Sequence, residues 1–316
     1  MIHPRTATLP RRGLLALAPL LAARCAALPT EPCSFAAPNR VPVAIAGNLP
    51  FVPMAVNGWP VTALLDTGAE RTLVAETLLP ALGLAQDPRR RAFQTGATGR
   101  TAARPLAQLR RVRLGSFEIA NHMVAVIDRP GMNGPDGNPP QLVLGGDILA
   151  QHDLDIDLPA RRLTLHPARR CRLDGPPLPG RHYELPMRIS RNHIVTDIEA
   201  NGIPTDCILD TGANLVFISR ERARSLGIGD AELAGAPQRG VRGINNETQN
   251  LSLARLRTLR IGPELHRDVP VFVGDGAPAD LVIGTPWMGQ RRIFVSYANL
   301  RLFVAMPAGM PAAPSA

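Results

Sequence analysis

The 316-residue sequence predicts a nearly all-β protein built as two similar lobes with one short helix each. Two observations point there. One pattern of strands and turns occurs twice along the chain, about half a chain length apart, and a repeat on this scale implies duplicated structure. The chain also holds 28 glycines and 32 prolines, which suits many short strands joined by tight turns better than long helices. With 45% hydrophobic and 19% charged residues there is enough apolar material for a sizeable core and too little charge for wholesale disorder.

The first copy runs Pro53-Met54-Ala55-Val56-Asn57-Gly58, then Val61 to Leu65, then Asp66-Thr67-Gly68-Ala69. The second runs His193 to Ala200, Asn201-Gly202-Ile203-Pro204, Cys207 to Leu209, then Asp210-Thr211-Gly212-Ala213. Each is a strand, an Asn-Gly turn and a second strand, the signature of a β-hairpin. The repeat continues beyond the aspartates. Val74 to Leu84 and Phe217 to Ile228 each read as a short amphipathic helix ending in Leu-Gly. Gly96 to Gly99 and Gly240 to Gly243 follow as glycine-bearing loops. Leu109 to Leu114 matches Leu256 to Ile261, and Leu142-Val143-Leu144-Gly145 matches Leu281-Val282-Ile283-Gly284.

The aspartates carry the chemistry. Leu64-Leu65 and Ile208-Leu209 are apolar ends of buried strands, and they draw the next residue toward the interior. A lone buried carboxylate is costly and tends to stay protonated. Two of them face to face can share a proton, so that the pair offers a base and an acid at the same moment. Thr67 and Thr211 have hydroxyls able to bond the backbone of the opposite loop. Gly68 and Gly212 leave their N–H groups open to the carboxylates.

On these residues the sequence resembles the retropepsin-like aspartic peptidases, the retroviral proteases and their bacterial relatives. The matching pieces are Asp66-Thr67-Gly68-Ala69, Asp210-Thr211-Gly212-Ala213 and the apolar triplets ending at Gly145 and Gly284, and the resemblance spans about residues 41–306. It implies two fused lobes of the retropepsin or acid-protease type, with an active site at the lobe interface. Asp66 and Asp210 would be the catalytic pair, supported by Thr67, Gly68, Ala69, Thr211, Gly212 and Ala213. Gly96, Gly99, Gly240 and Gly243 would lie in flaps closing over a peptide or an unfolded protein segment. The chain departs from its pepsin-like relatives in carrying Arg or Thr where their flaps use tyrosine. The alternative is a non-catalytic peptide-binding protein that keeps this fold.

The remaining residues yield expectations about organisation and partners. Residues 1–27 read as a signal segment, with Arg5, Arg11 and Arg12 ahead of an apolar run from Leu14 to Ala23. That implies export to a periplasmic or secreted location; Arg24 before Cys25 disfavours a lipoprotein, and the Arg11-Arg12 pair suits a twin-arginine route. Residues 28–40 form an N-terminal linker, 41–167 the first lobe, 168–181 an interlobe linker, 182–306 the second lobe and 307–316 a flexible tail. Cys33, Cys171 and Cys207 allow at most one internal disulfide, Cys33 with Cys171 being one option. No cofactor is expected, and no metal: Asp153, Asp155 and Asp157 alternate with Leu154, Ile156 and Leu158 as on a half-exposed strand. Trp59 and Trp287 read as packing residues, with Trp287 as a possible pocket wall. The net charge is +9, all 35 basic residues are arginine, and aromatics are only 4%. Scattered arginines without aromatics argue against nucleic-acid binding. No segment after the signal is long and apolar enough to span a membrane. Two complete lobes favour a monomer over a dimer that pairs Asp66 with Asp66.

Overall fold

The computed structural model describes residues 31–35, 39–93, 95–96, 99–128, 130–243, 247–275 and 279–307. The expected signal segment and nearly all of the expected tail lie outside these residues.

Each lobe grows from its Asn-Gly hairpin. Asn57 and Gly58 both have positive φ, as do Asn201 and Gly202, which matches the turn to the twist of the flanking strands. The asparagines also fasten the hairpins. Asn57 Oδ1 accepts from the Arg111 N–H at 3.0 Å, and its Nδ2 donates to the Leu82 carbonyl. Asn201 repeats this with the Thr258 N–H at 3.1 Å and the Leu226 carbonyl at 2.9 Å.

The first lobe is an eight-stranded sheet in the spatial order 44–46, 49–56, 59–65, 142–144, 73–75, 117–127, 104–114 and 86–92. The second has eight strands in the same order: 188–190, 193–200, 203–209, 281–283, 216–219, 264–274, 248–261 and 238–242. In both, the long strand near the end pairs back with the first hairpin, so each sheet curls on itself. The apolar triplets Leu142–Leu144 and Leu281–Ile283 lie parallel to the strands that carry the aspartates, and their side chains are fully or almost fully buried.

Both expected helices begin as strands. Leu73–Ala75 and Val216–Ser219 are buried strands, and only the second is followed by an α-helix, Arg220–Ser225, capped by the Ser219 hydroxyl. In the first lobe only a 3₁₀ turn forms at Glu76–Leu78. Pro80 explains the difference, because it lacks the N–H that would bond the Glu76 carbonyl in an α-helix. Leu79 makes the shorter bond to that carbonyl instead. Three more short helices, Gly146–Leu149, Asp230–Gly235 and Thr285–Met288, were not foreseen.

A third, six-stranded sheet joins the lobes. Its order is 39–42, 162–167, 152–157, 292–296, 301–305 and 182–185, so the closing strands of the two lobes pair at its centre. This placement corrects the reading of Asp153, Asp155 and Asp157, whose strand is buried on both faces. Their carboxylates find partners inside the sheet: Asp155 with Arg292 at 2.6 and 2.8 Å, Asp157 with Arg162 at 2.8 Å, Asp153 with the Ser296 hydroxyl at 2.8 Å. Trp59 is also corrected: at 59% exposure on a hairpin end it packs little. Cys33 and Cys171 form a disulfide, and Leu173 and Leu178 beside it pack on Phe294 and Phe303, which anchors the interlobe segment to this sheet. Cys207 is buried and free. Among the described residues no helix is long and apolar enough to cross a membrane.

Candidate active site

The two Asp-Thr-Gly loops meet where the lobes touch. Each aspartate leaves its strand with its own N–H bound to the neighbouring parallel strand, Asp66 to the Leu144 carbonyl at 3.1 Å and Asp210 to the Ile283 carbonyl at 3.0 Å. The loops are then tied down from below: Gly146 N–H reaches the Ala69 carbonyl and Thr285 N–H the Ala213 carbonyl, both at 2.8 Å. A Cβ on Gly145 would overlap the Arg71 backbone, and one on Gly284 the Ala213 and Leu215 carbonyls, so glycine permits this close support.

The threonines lock the loops together. Thr67 Oγ1 donates to the Leu209 carbonyl at 2.7 Å and accepts from the Thr211 N–H at 3.0 Å. Thr211 Oγ1 donates to the Leu65 carbonyl at 2.6 Å and accepts from the Thr67 N–H at 3.0 Å. Both threonines are 0% exposed, so four hydrogen bonds cross the interface in a dry setting where each is hard to replace with water. Gly68 N–H donates to Asp66 Oδ1 at 2.9 Å and Gly212 N–H to Asp210 Oδ1 at 2.7 Å. A Cβ on Gly68 would collide with the Asp210 carboxylate, and one on Gly212 with that of Asp66.

The carboxylates therefore face each other within hydrogen-bonding reach. Burial raises the pKa of Asp66 well above the usual carboxylate range, and the neighbouring charge of Asp210 raises it further. Burial raises Asp210 as well. Backbone N–H donors act against these effects on both acids without cancelling them. The pair can thus hold one proton between its two members over a range where isolated carboxylates are fully ionised.

Above the pair opens a cleft of about 1010 Å³ lined by both lobes. Asp66, Gly68, Ala69, Asp210, Gly212 and Ala213 form its floor. Gly96 and Gly240, one from each lobe, overhang it, and Gly243 reaches it too. Gly96 and Gly99 pair in a two-residue ribbon, Thr95–Gly96 with Gly99–Arg100, and Gln238–Arg242 pairs with Thr248–Ser252. Gly99 does not line the cleft, and Thr67 and Thr211 lie beneath its floor.

A family model described as aspartyl protease matches residues 52–148 and 196–287, one segment in each lobe and more than half of the chain. The chain belongs to the aspartyl protease family. Among solved structures, a retropepsin-like aspartic protease from Rickettsia conorii is 17% identical, covering 39% of this chain and 89% of its own at a TM-score of 0.33. The aspartic proteinase from Irpex lacteus is 16% identical, covering 86% of this chain and 98% of its own at a TM-score of 0.47. No curated protein matches the chain.

The two lobes are not equivalent around the aspartate pair. In the first, Asp147 accepts from the Thr72 N–H and hydroxyl at 2.8 and 2.7 Å and meets His122 Nε2 at 3.0 Å. In the second, Thr285 takes over support and donates its hydroxyl to the Ala213 carbonyl at 3.1 Å. Trp287 is not a pocket wall. It is buried, and its indole N–H donates to Glu264 at 3.2 Å. His193 lies in the cleft wall beside the dyad, buried, and burial lowers its pKa against the pull of Asp210. The sequence holds a signal for it: counting back 17 positions from each aspartate gives Leu49 in one lobe and His193 in the other. The next lobe contact has no such signal. Asn192, at positive φ, donates its side chain to the Glu70 carbonyl at 2.9 Å and holds the second lobe's turn against the first lobe's loop.

Proposed function

We propose that the protein is an exported endopeptidase that hydrolyses peptide bonds with a water activated between Asp66 and Asp210. The observation that carries this reading is the cross-lobe apposition of two buried carboxylates, each held by a glycine N–H, at the base of a cleft lined by both lobes. The ionised member takes a proton from water as its oxygen attacks the peptide carbonyl carbon. The protonated member gives its proton to the carbonyl oxygen, which leaves a neutral tetrahedral diol. Collapse reforms the C=O bond, breaks the C–N bond and sends a proton to the departing amine. The shared proton supplies both roles, and no covalent enzyme intermediate is needed. Because both acids are raised by burial, the singly protonated dyad extends toward neutral pH.

A disulfide between Cys33 and Cys171, 138 residues apart, suits an oxidising compartment such as the periplasm or the extracellular medium. The test of the activity is digestion of a diverse peptide mixture by the purified protein, with cut bonds read by mass spectrometry. Parent protein should cut, while Asp66→Asn and Asp210→Asn should each lose at least about 10²-fold in kcat/KM. An inert parent that still binds peptides would replace this reading with a binding function.

A further inference from the structure

The geometry points to a substrate class for this cleft: peptides carrying aspartate or glutamate side chains around the bond to be cut. This rests on the peptidase reading above and goes beyond it. Six arginines line the cleft, all exposed at its surface; Arg188 is committed to Asp197 and Asp206, and five remain: Arg71, Arg91, Arg191, Arg239 and Arg242. They come from four separate stretches of chain and from both lobes. Arg71 follows the first Asp-Thr-Gly loop, and Arg91 lies one residue before the end of the strand leading to the first flap. Arg191 sits in the turn just before His193. Arg239 and Arg242 lie on the flap strand of the second lobe.

None of the five is ion-paired among the described residues. Arg91 donates to the Ala103 carbonyl at 2.6 Å, and Arg239 lies over the Phe272 ring at 5.5 Å. Neither contact neutralises a charge. Elsewhere on the surface arginines often have acids in hand, as in Arg255 with Asp268, Arg224 with Asp230 and Arg301 with Glu184. The cleft also holds acids besides the dyad, and their partners decide the balance. Asp206 is held by Arg188, and Asp280 by Arg222. Glu70 alone has no cation bound to it among the described residues. Five uncommitted guanidinium groups therefore face one uncommitted carboxylate outside the dyad.

A concave, partly desolvated cleft focuses such a field and raises the local concentration of opposite charge. Arginine stays charged at every working pH, and its planar fork matches a carboxylate with two parallel hydrogen bonds. A peptide lying in the cleft would pass Arg239 and Arg242 of the second lobe's flap strand, Arg71 beside the first Asp-Thr-Gly loop and Arg191 in the turn before His193. Its acidic side chains would be paired there, while lysine or arginine side chains would meet like charge.

The test separates binding from cleavage. Three peptides of equal length share one apolar core and differ only in flanking residues: Glu, Gln or Lys. Binding to the Asp66→Asn protein is followed by anisotropy of a neutral dye, at about 0.05 M and about 0.5 M salt. The Glu peptide should bind roughly tenfold or more tighter than the Gln peptide at low salt, with the Lys peptide weakest. High salt and the Arg239→Gln/Arg242→Gln double variant should each shrink that ratio. Cleavage by the parent protein should follow the same order in kcat/KM. Equal affinities for the three peptides, or a preference untouched by salt and by the double variant, would overturn the inference and leave the peptidase reading standing if the peptides are cut. If none is cut while the Glu peptide still binds best, the cationic cleft stands and the peptidase reading falls.

Discussion

The backbone of Gly68 lies against the carboxylate of Asp210, and that of Gly212 against the carboxylate of Asp66, so each loop's glycine makes room for the other loop's acid. This crossing makes the Asp-Thr-Gly triplet a requirement of the pair of loops. Gly68→Ala or Gly212→Ala should push the carboxylates apart. Displacement by about 1 Å is enough to cost roughly 10²-fold in catalysis. Peptide hydrolysis should fall by at least that factor for either variant, with circular dichroism showing the fold retained. Activity near that of the parent would mean the loops can part without harm.

Thr67 and Thr211 are each other's partners, which predicts an unusual mutational pattern. Either Thr→Ala change removes one hydroxyl donor and one acceptor and leaves a buried carbonyl and a buried N–H unsatisfied, at a cost of about 1–3 kcal/mol for each orphaned group. The double variant should cost less than the sum of the singles, because the two sites share one network. Thr→Ser keeps the hydroxyl and should restore most of the loss. Denaturant unfolding of these variants checks this; strict additivity would show that the two hydroxyls act independently.

The raised pKa values of the dyad have a consequence for stability. A carboxyl whose pKa is higher in the folded than in the unfolded state binds more protons when folded, so stability falls as pH rises from the unfolded value through the folded one. The penalty is absent below the ordinary carboxylate range and complete above the dyad's own titration. Asp66→Asn removes the titrating group whose pKa is raised well above normal. It should raise Tm at neutral pH and leave it nearly unchanged near pH 3. A Tm change that is the same at both pH values would separate the effect from titration.

Much of this was legible in the sequence, and the reason lies in the repeat. Asp66 and Asp210 stood out because each follows an apolar strand end and an Asn-Gly hairpin, which are local signals. The strands at Leu73–Ala75 and Val216–Ser219 were hidden because an apolar run beside a helix-forming stretch carries no marker of where one element ends. The burial of Asp153, Asp155 and Asp157 was hidden for a different reason. Period-two alternation of acid and leucine looks like a half-exposed strand, but Arg292 and Ser296 arrive from the other lobe, more than 130 residues away, to satisfy the acids. The arginine lining of the cleft was hidden by composition: in a chain with 35 arginines, those facing the cleft cannot be told from the rest until the fold gathers them.

The lobes also differ in how they fill one matching position. Phe117 stacks edge-on to His152 in the first lobe, at 4.0 Å between ring centroids, where the second lobe has Glu264 and Arg291. Glu264 is almost fully buried. Burial opposes its ionisation, and hydrogen bonds from His266, Arg291 and Tyr183 outweigh that, holding its pKa at about 2. Removing one member of such a pair strands the other, so Glu264→Gln should destabilise by about 3–5 kcal/mol. Joint replacement of Glu264 and Arg291 by Phe and His should cost less. Chemical denaturation distinguishes the two, and a single variant as stable as the parent would show that Arg291 is satisfied by the Trp287 carbonyl alone.

Ala69 and Ala213 govern the last prediction, which concerns the pH range of catalysis. Each alanine follows its Asp-Thr-Gly triplet, and its N–H turns back to the aspartate carbonyl, Ala69 at 3.4 Å and Ala213 at 3.3 Å. A serine there would set a hydroxyl beside the neighbouring carboxylate, able to donate to an oxygen that the glycine N–H does not hold. A hydrogen bond to the charged form favours it and lowers the pKa. The parent lacks this donor in both lobes, and burial already raises both acids. The dyad should therefore keep its shared proton into mildly acidic and near-neutral conditions. In the Ala69→Ser/Ala213→Ser variant the limbs of kcat/KM against pH, which report the apparent pKa values of the pair, should both move to lower pH. The alkaline limb should move further, because losing the shared proton creates the second buried charge that the added donors stabilise. Limbs that stay in place, or shift upward, would show that burial and mutual repulsion alone set the titration of the pair.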